Sequence, residues 1–247
     1  MKTLILPPKY SEESNRMRKA ALTAGWKVER LTSWRVPDYL RDHDVTIYAE
    51  PLFAARIEDA LNLRFPTPPE DWLLRLPPEM VQRDIRAMSL AQARQLPERG
   101  FIKPADFKTF KAGVYPSGAA LPDEEKVSGT EPVLVAEVVH WESEFRFFLR
   151  AGVARTGSVY FRNGITAEEA GEWNCTAEEY RAAKSIAESA YAATAEHLPD
   201  CVVIDTGYIR GKGWAVIEAN PIWGSGLYGS DPARVLETLD FVPERRK

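Results

Sequence analysis

The chain has 247 residues, 28% of them charged and 45% hydrophobic, with a formal net charge of -4 at pH 7. This is the profile of a folded globular protein with one large domain or two small ones, and it excludes a disordered or collagen-like chain. The acidic balance argues against a dedicated nucleic-acid binder, and no apolar run reaches bilayer-spanning length, so neither nucleic acid nor membrane is an expected partner.

In chain order, Thr3 to Leu6 reads as a strand closed by Pro7 and Pro8. Ser11 to Ala24 reads as a helix stopped by Gly25. Lys27 to Leu31 and Val45 to Ala49 read as further strands, and Pro51 opens a helix to Leu61. That order predicts a small α/β unit over residues 1–75, with the proline-rich stretch 65–78 as its linker to a second unit over 76–247. Glu79 to Gln95 is expected to be helical from its apolar spacing. Phe101 to Pro104, Val133 to Val139, Phe145 to Leu149 and Ser158 to Phe161 are expected strands, with H-W-E-S-E between the second and third. Thr176 to Leu198 is the clearest helix, opened by a Thr176/Glu179 capping box. Two β-rich runs, 201–209 and 214–219, flank the turn Gly211-Lys212-Gly213, and a short helix from Asp231 to Leu239 follows.

The hairpin carries the sharpest chemical signal. Its midpoint lies between Asp205 and Glu218, so a symmetric pairing sets these two acids side by side, with Asn220 on the face of Glu218. Like charges placed opposite each other are destabilising. The flanks C-V-V-I and A-V-I are apolar, which favours buried strands over a surface hairpin. Three oxygen donors converging there suit Mg²⁺, and an arginine partner is the other way to satisfy buried acids.

Other positions are more ambiguous. Lys103 ends an apolar strand and either snorkels to the surface or meets a phosphate. Lys108 and Lys111 follow it and form a candidate phosphate cradle, although no G-x-x-x-x-G-K-[ST] loop is present. Glu142 and Glu144 fit a solvated turn as well as a site. Arg146, between phenylalanines, either pairs with a local acid or binds an anion, whereas Arg83 and Arg86 read as helix-surface charges. Gly224 to Gly229 matches G-x-G-x-x-G, but comes too late in the chain to open a dinucleotide-binding βαβ unit and is read as a backbone-donating loop near the cation site. Cys175 and Cys201 lack metal spacing and are read as free thiols of a cytoplasmic protein. The three histidines, His43, His140 and His197, have no pairing that would support zinc or a Ser-His-Asp triad.

Taken jointly, F-I-K-P, A-E-V-V-H-W-E-S-E-F-R-F-F, I-D-T-G-Y and I-E-A-N-P resemble the ATP-grasp superfamily. Their order and spacing are comparable to the D-alanine–D-alanine ligase branch, including the seven-residue step from Glu137 to Glu144 and the thirteen-residue step from Asp205 to Glu218. The sequence is most similar to the clade named for two arginines and a lysine, a likeness that takes in Asp71-Trp72-Leu73, Arg83 and G-L-Y-G-S-D-P. The resemblance implies an α/β (α+β) ATP-grasp fold, two α+β subdomains gripping ATP, preceded by a small α/β domain that helps shape the acceptor site. It implies that Lys103 binds phosphate, that the backbone of Glu137, Val138, Val139 and His140 meets adenine, and that Glu144 holds the ribose. It makes Asp205, Glu218 and Asn220 the Mg²⁺ ligands, with Arg146 and Arg83 near the phosphates. The Lys108/Lys111 segment stands where a Gly/Ser-rich phosphate loop is usual, and 105–120 is the candidate lid. The implied activity is an ATP- and Mg²⁺-dependent ligase joining small-molecule or peptide carboxylates to amines through an acylphosphate. A kinase on the same scaffold and a non-catalytic nucleotide-binding module are the alternatives. Apolar patches on the N-terminal unit are compatible with a homodimer.

Overall fold

The computed structural model of the protein describes residues 1–105 and 109–246. Strand β1 (Thr3–Leu6) leads to helix α1 (Glu12–Thr23), then β2 (Lys27–Arg30), β3 (Val45–Ile47) and α2 (Pro51–Leu61). The three strands form a parallel sheet in the order β2-β1-β3. Helix α1 starts on a reciprocal cap between Ser11 and Ser14, and α2 starts on Pro51 and ends at Asn62 in the left-handed region. A two-residue strand β4 (Leu63–Arg64) pairs with the last strand of the chain. The proline-rich stretch after it packs down rather than spanning free space. Trp72 is 1% exposed, and its indole N–H donates to Thr194 Oγ1 at 2.8 Å.

Residues 79–95 differ from the helix their spacing predicts. A single turn α3 (Pro78–Val81) stops at Gln82, which is left-handed at φ +49°, and a strand β5 (Ile85–Ser89) follows before another short turn α4 (Leu90–Ala93). The cause is tertiary. Strand β5 pairs along its length with β8 (Pro132–Ala136), and that ladder overrides a local pattern compatible with either structure. With β6 (Gly100–Pro104) and β7 (Gly113–Tyr115) these strands make an antiparallel sheet ordered β5-β8-β6-β7.

The largest sheet is built from β9 (Trp141–Arg150), β10 (Val153–Arg162), β11 (Ile165–Thr166), β12 (Cys201–Ile209) and β13 (Gly213–Asn220), in the order β11-β10-β9-β12-β13. H-W-E-S-E is largely strand, because β9 is long enough to pair with β10 on one side and β12 on the other. Short helix α5 (Ala167–Gly171) and long helix α6 (Ala177–Ala193) lie between β11 and β12, and α6 carries the expected Thr176/Glu179 capping box. Helix α7 (Pro232–Thr238) and strand β14 (Glu244–Arg245) close the chain.

Side-chain alternation gives this sheet two different faces. Phe145, Phe147, Leu149, Val202, Ile204 and Val216 pack with Ala183, Ala187 and Ala190 of α6, whose small side chains let the helix approach closely. On the other face Phe148, Cys201 and Val203 join the core of the N-terminal sheet, with Leu4, Leu6, Phe53 and Ile57. One step further along the same strands that face changes from apolar to charged. Phe148 therefore ties the N-terminal layer to the sheet. Phe148→Ala should cost about 3–5 kcal/mol and lower the urea midpoint far more than Leu52→Ala, whose side chain is 76% exposed. Equal midpoints for the two variants would show that this contact does not hold the layers together.

Candidate active site

The charged step of the sheet is centred on β12. Asp205 is fully buried and lies directly opposite Glu218 on β13 and Arg146 on β9. The hairpin pairs Asp205 with Glu218, but the register then shifts, so that Thr206 faces Val216 and Ile217 bulges out. Arg146 answers Asp205 with a two-pronged ion pair: Nε donates to Oδ1 at 2.9 Å and Nη2 to Oδ2 at 2.7 Å. Burial alone would lower the Arg146 pKa, but the Asp205 carboxylate reverses this and holds the guanidinium more firmly protonated than usual.

Glu218 keeps 32% of its side-chain surface exposed and takes its cation from another sheet. Lys103 at the end of β6 donates to its Oε2 at 2.9 Å. Burial pushes the Glu218 carboxyl up, but Lys103 and Asn220 outweigh that and bring it down to about 2. Asn220 Nδ2 bridges the two acids, donating to Asp205 Oδ2 at 3.2 Å and to Glu218 Oε1 at 3.0 Å. Turning the amide over presents Asn220 Oδ1 to the same spot, since its two ends differ only by hydrogen-bond assignment. Two carboxylates and one amide within hydrogen-bond reach of one another therefore fit a hard divalent cation such as Mg²⁺. Among the described residues no group of three or more His, Cys, Asp or Glu side chains is placed to hold an ion, so Asn220 is needed for the set.

Glu144 is on the same face, opposite Gly207, and accepts a hydrogen bond from the Tyr160 hydroxyl at 3.0 Å. A Cβ on Gly207 would come within 2.6 Å of the Ser143 carbonyl and 2.7 Å of the Trp141 ring, which explains the glycine beside this acid. Arg83 lies 5.1 Å from the Trp141 ring centroid and donates to the carbonyls of Val216 (2.6 Å) and Ile217 (3.0 Å) at the bulge. Burial draws its pKa down to about 10, against the pull of Glu218 and Glu137. In this arrangement Arg83 holds the strand that carries Glu218.

Residues Glu137, Val138, Val139 and His140 form the crossing between β8 and β9, and hence between the two antiparallel sheets. Glu137 accepts from Lys212 Nζ at 2.7 Å, and His140 Nε2 lies 3.1 Å from Asn163 Oδ1. Lys111 is exposed in the loop between β6 and β7. Lys108 lies outside the described residues, as does part of the candidate lid. The structure thus brings together Lys103, Glu144, Arg146, Asp205, Glu218 and Asn220, with Arg83 behind them. It adds Tyr160 and Tyr228, whose rings stack at 4.9 Å and lie 5.4 and 5.1 Å from the Arg146 guanidinium. Tyr160 was open to detection by strand alternation. Tyr228 was not, because its position depends on contacts far away in sequence.

The comparisons with known proteins bear on this geometry. A family model described as "ATP-grasp domain, R2K clade family 2" matches residues 80–238. The chain belongs to that family. The fold is likewise ATP-grasp. Among solved structures, D-cycloserine synthetase DcsG matches with a TM-score of 0.66 at 16% identity, covering 97% of this chain and 98% of that one. A RimK domain ATP-grasp protein from Sphaerobacter thermophilus DSM 20745 matches at 0.61 and 13%, covering 98% and 99%. D-alanine–D-alanine ligase from Bacillus anthracis, solved with ATP, matches at 0.55 and 11%, covering 97% and 95%. No curated protein matches the sequence. At these identities the likeness concerns the fold, and the chemistry of this family member has to be argued from its own residues.

Glu144 supplies a pH signature. Burial, then Asp205 and Glu218, push its carboxyl up to about 7 against the Tyr160 hydrogen bond. An unfolded glutamate titrates near 4.5. Between these values the folded state keeps a proton that the unfolded state has lost, so this group's contribution to stability falls as pH rises from about 4.5 to about 7 and is level above that. Unfolding free energies of wild type and Glu144→Gln across this window should diverge by up to about 3 kcal/mol, with wild type losing ground as pH rises. A pH-independent difference would contradict a half-buried, proton-holding Glu144.

Proposed function

We propose that this protein is an ATP- and Mg²⁺-dependent ligase that joins a carboxylate to an amine through an acylphosphate. The observation that carries the reading is the meeting of Lys103, from one antiparallel sheet, with the Asp205/Glu218/Asn220 set and Arg146 of the other. Asp205, Glu218 and Asn220 would hold Mg²⁺, which when bound supplies neutralisation of the phosphate charge. Lys103 offers a mobile cation for a phosphate oxygen once its carboxylate partner is engaged by a metal. Arg146, protonated and fixed, stabilises negative charge developing beside it. The backbone of Glu137, Val138, Val139 and His140 runs along the crossing where a base would sit. Glu144 faces the same side as a partner for ribose hydroxyls.

The chemistry asks for little more. An oxygen of the substrate carboxylate attacks the γ-phosphorus, a new P–O bond forms, the β,γ-bridging bond breaks and ADP leaves. The amine then attacks the acyl carbon, phosphate departs and the nitrogen loses a proton. Neither step needs a protein nucleophile, so positioning and charge stabilisation suffice. The sheet β2-β1-β3 with α1 and α2 packs on the same face of the largest sheet, and would form the acceptor side.

Incubation with ATP and mixtures of amino acids or short peptides should release ADP and phosphate in equal amounts, with an amide of matching mass. Glu218→Gln should slow that release at least about 100-fold, because it removes one negative metal ligand. A phosphorylated acceptor with no amide product would replace the ligase reading with a kinase. Unchanged turnover in Glu218→Gln would remove the metal assignment.

A further inference from the structure

The segment Gly224 to Gly229 follows β13 rather than opening a βαβ unit, and it is held by an unusual pair of contacts. Glu13 and Arg16 are one turn apart on α1 and so share a face. Glu13 Oε1 accepts from the backbone N–H of Leu227 at 2.7 Å and of Tyr228 at 3.3 Å. Arg16 Nη1 donates to the Tyr228 carbonyl at 2.9 Å and Nη2 to the Ser230 carbonyl at 3.0 Å. One helical turn thus grips both backbone groups of Tyr228 from across the molecule. The second Glu13 oxygen accepts from the Tyr48 hydroxyl at 3.3 Å, which fixes the carboxylate in turn.

Tyr228 needs holding. Its φ is +48°, in the left-handed region that bulky residues seldom adopt without outside support. In that conformation its ring stacks on Tyr160 and covers Arg146, with the Trp173 ring 5.7 Å away. The flanking glycines serve the same packing. A Cβ at Gly226 would press on Glu13 Oε1 at 3.3 Å, and one at Gly229 would strike Trp173 Cβ at 2.6 Å.

We propose that Glu13 and Arg16 are positioning residues that set Tyr228 over Arg146, so that the N-terminal unit controls how Arg146 is held against Asp205. The importance of Arg146 rests on the ligase reading, whereas the clamp itself is a property of the protein without any ligand. If the backbone of Tyr228 is released, it relaxes to an ordinary conformation, the ring leaves the guanidinium and water reaches the Arg146–Asp205 pair.

Two measurements on the full chain without nucleotide test this, so their outcome is independent of whether the protein binds ATP. Hydrogen exchange should show the Leu227 and Tyr228 amides protected in wild type. Glu13→Ala should speed their exchange at least about tenfold, with β1 unaffected. Glu13→Gln, which keeps the acceptor and its reach, should stay within roughly twofold of wild type. In protein labelled with ¹⁵N-arginine, the Arg146 Nε–H signal, assigned by its loss in Arg146→Lys, should be ring-shifted and slow to exchange. Glu13→Ala, Arg16→Ala and Tyr228→Ala should each move it in the same direction. Wild-type exchange at Leu227 and Tyr228 in Glu13→Ala would overturn the clamp. An Arg146 signal that stays put while the loop loosens would overturn its positioning role.

Discussion

Two carboxylates directly opposed across a hairpin repel each other, and the structure around Asp205 and Glu218 is organised by how that repulsion is relieved. Asp205 is fully buried and cannot remain charged without a fixed partner, which Arg146 supplies through two short hydrogen bonds. Removing either member of such a pair costs about 3–5 kcal/mol, because the other is left buried and unpaired. Glu218 is more open and draws its cation from a different sheet. Asp205 is therefore paired within its own sheet, and Glu218 is paired with the opposite lobe.

That asymmetry bears on how the two antiparallel sheets meet. Strand β13 is the seam. Lys103 reaches Glu218, Arg83 reaches the carbonyls at the Ile217 bulge, and Gln82 Nε2 donates to the Trp214 carbonyl at 2.7 Å. Lys212 in the hairpin turn reaches back to Glu137 at the crossing. These contacts are polar, and the Lys103–Glu218 pair is partly exposed, so it can be exchanged for contacts to a charged ligand. Apolar cores lie against α6 on one face of the largest sheet, against the N-terminal layer on the other, and on the four-stranded sheet, and Leu134 of β8 joins the first of them.

Features encoded by local chemistry were legible in the sequence. Gly211 and Gly213 adopt positive φ and set the turn, so the opposition of Asp205 and Glu218 could be counted outward from it. The bulge at Ile217 escaped that count, because it depends on carbonyls turned toward Arg83 from another lobe. Thr176 and Glu179 announced α6 by a cap that needs no tertiary partner. Residues 85–89 misled for the opposite reason, since only the ladder to β8 makes them a strand. In the sequence Glu13 belongs to a helix start, where an acid is favourable in any case. Nothing near it in sequence shows that its partners are Leu227 and Tyr228.

As proposed, the Asp205/Glu218/Asn220 set and Lys103 would form one nucleotide site that depends on a divalent cation. Calorimetric titration of the intact protein with a non-hydrolysable ATP analogue, with and without Mg²⁺, tests it most directly. Binding should be saturable and strengthened at least about tenfold by Mg²⁺, because two carboxylates otherwise face the phosphates. Binding of equal strength with and without Mg²⁺, or none in either case, would contradict it.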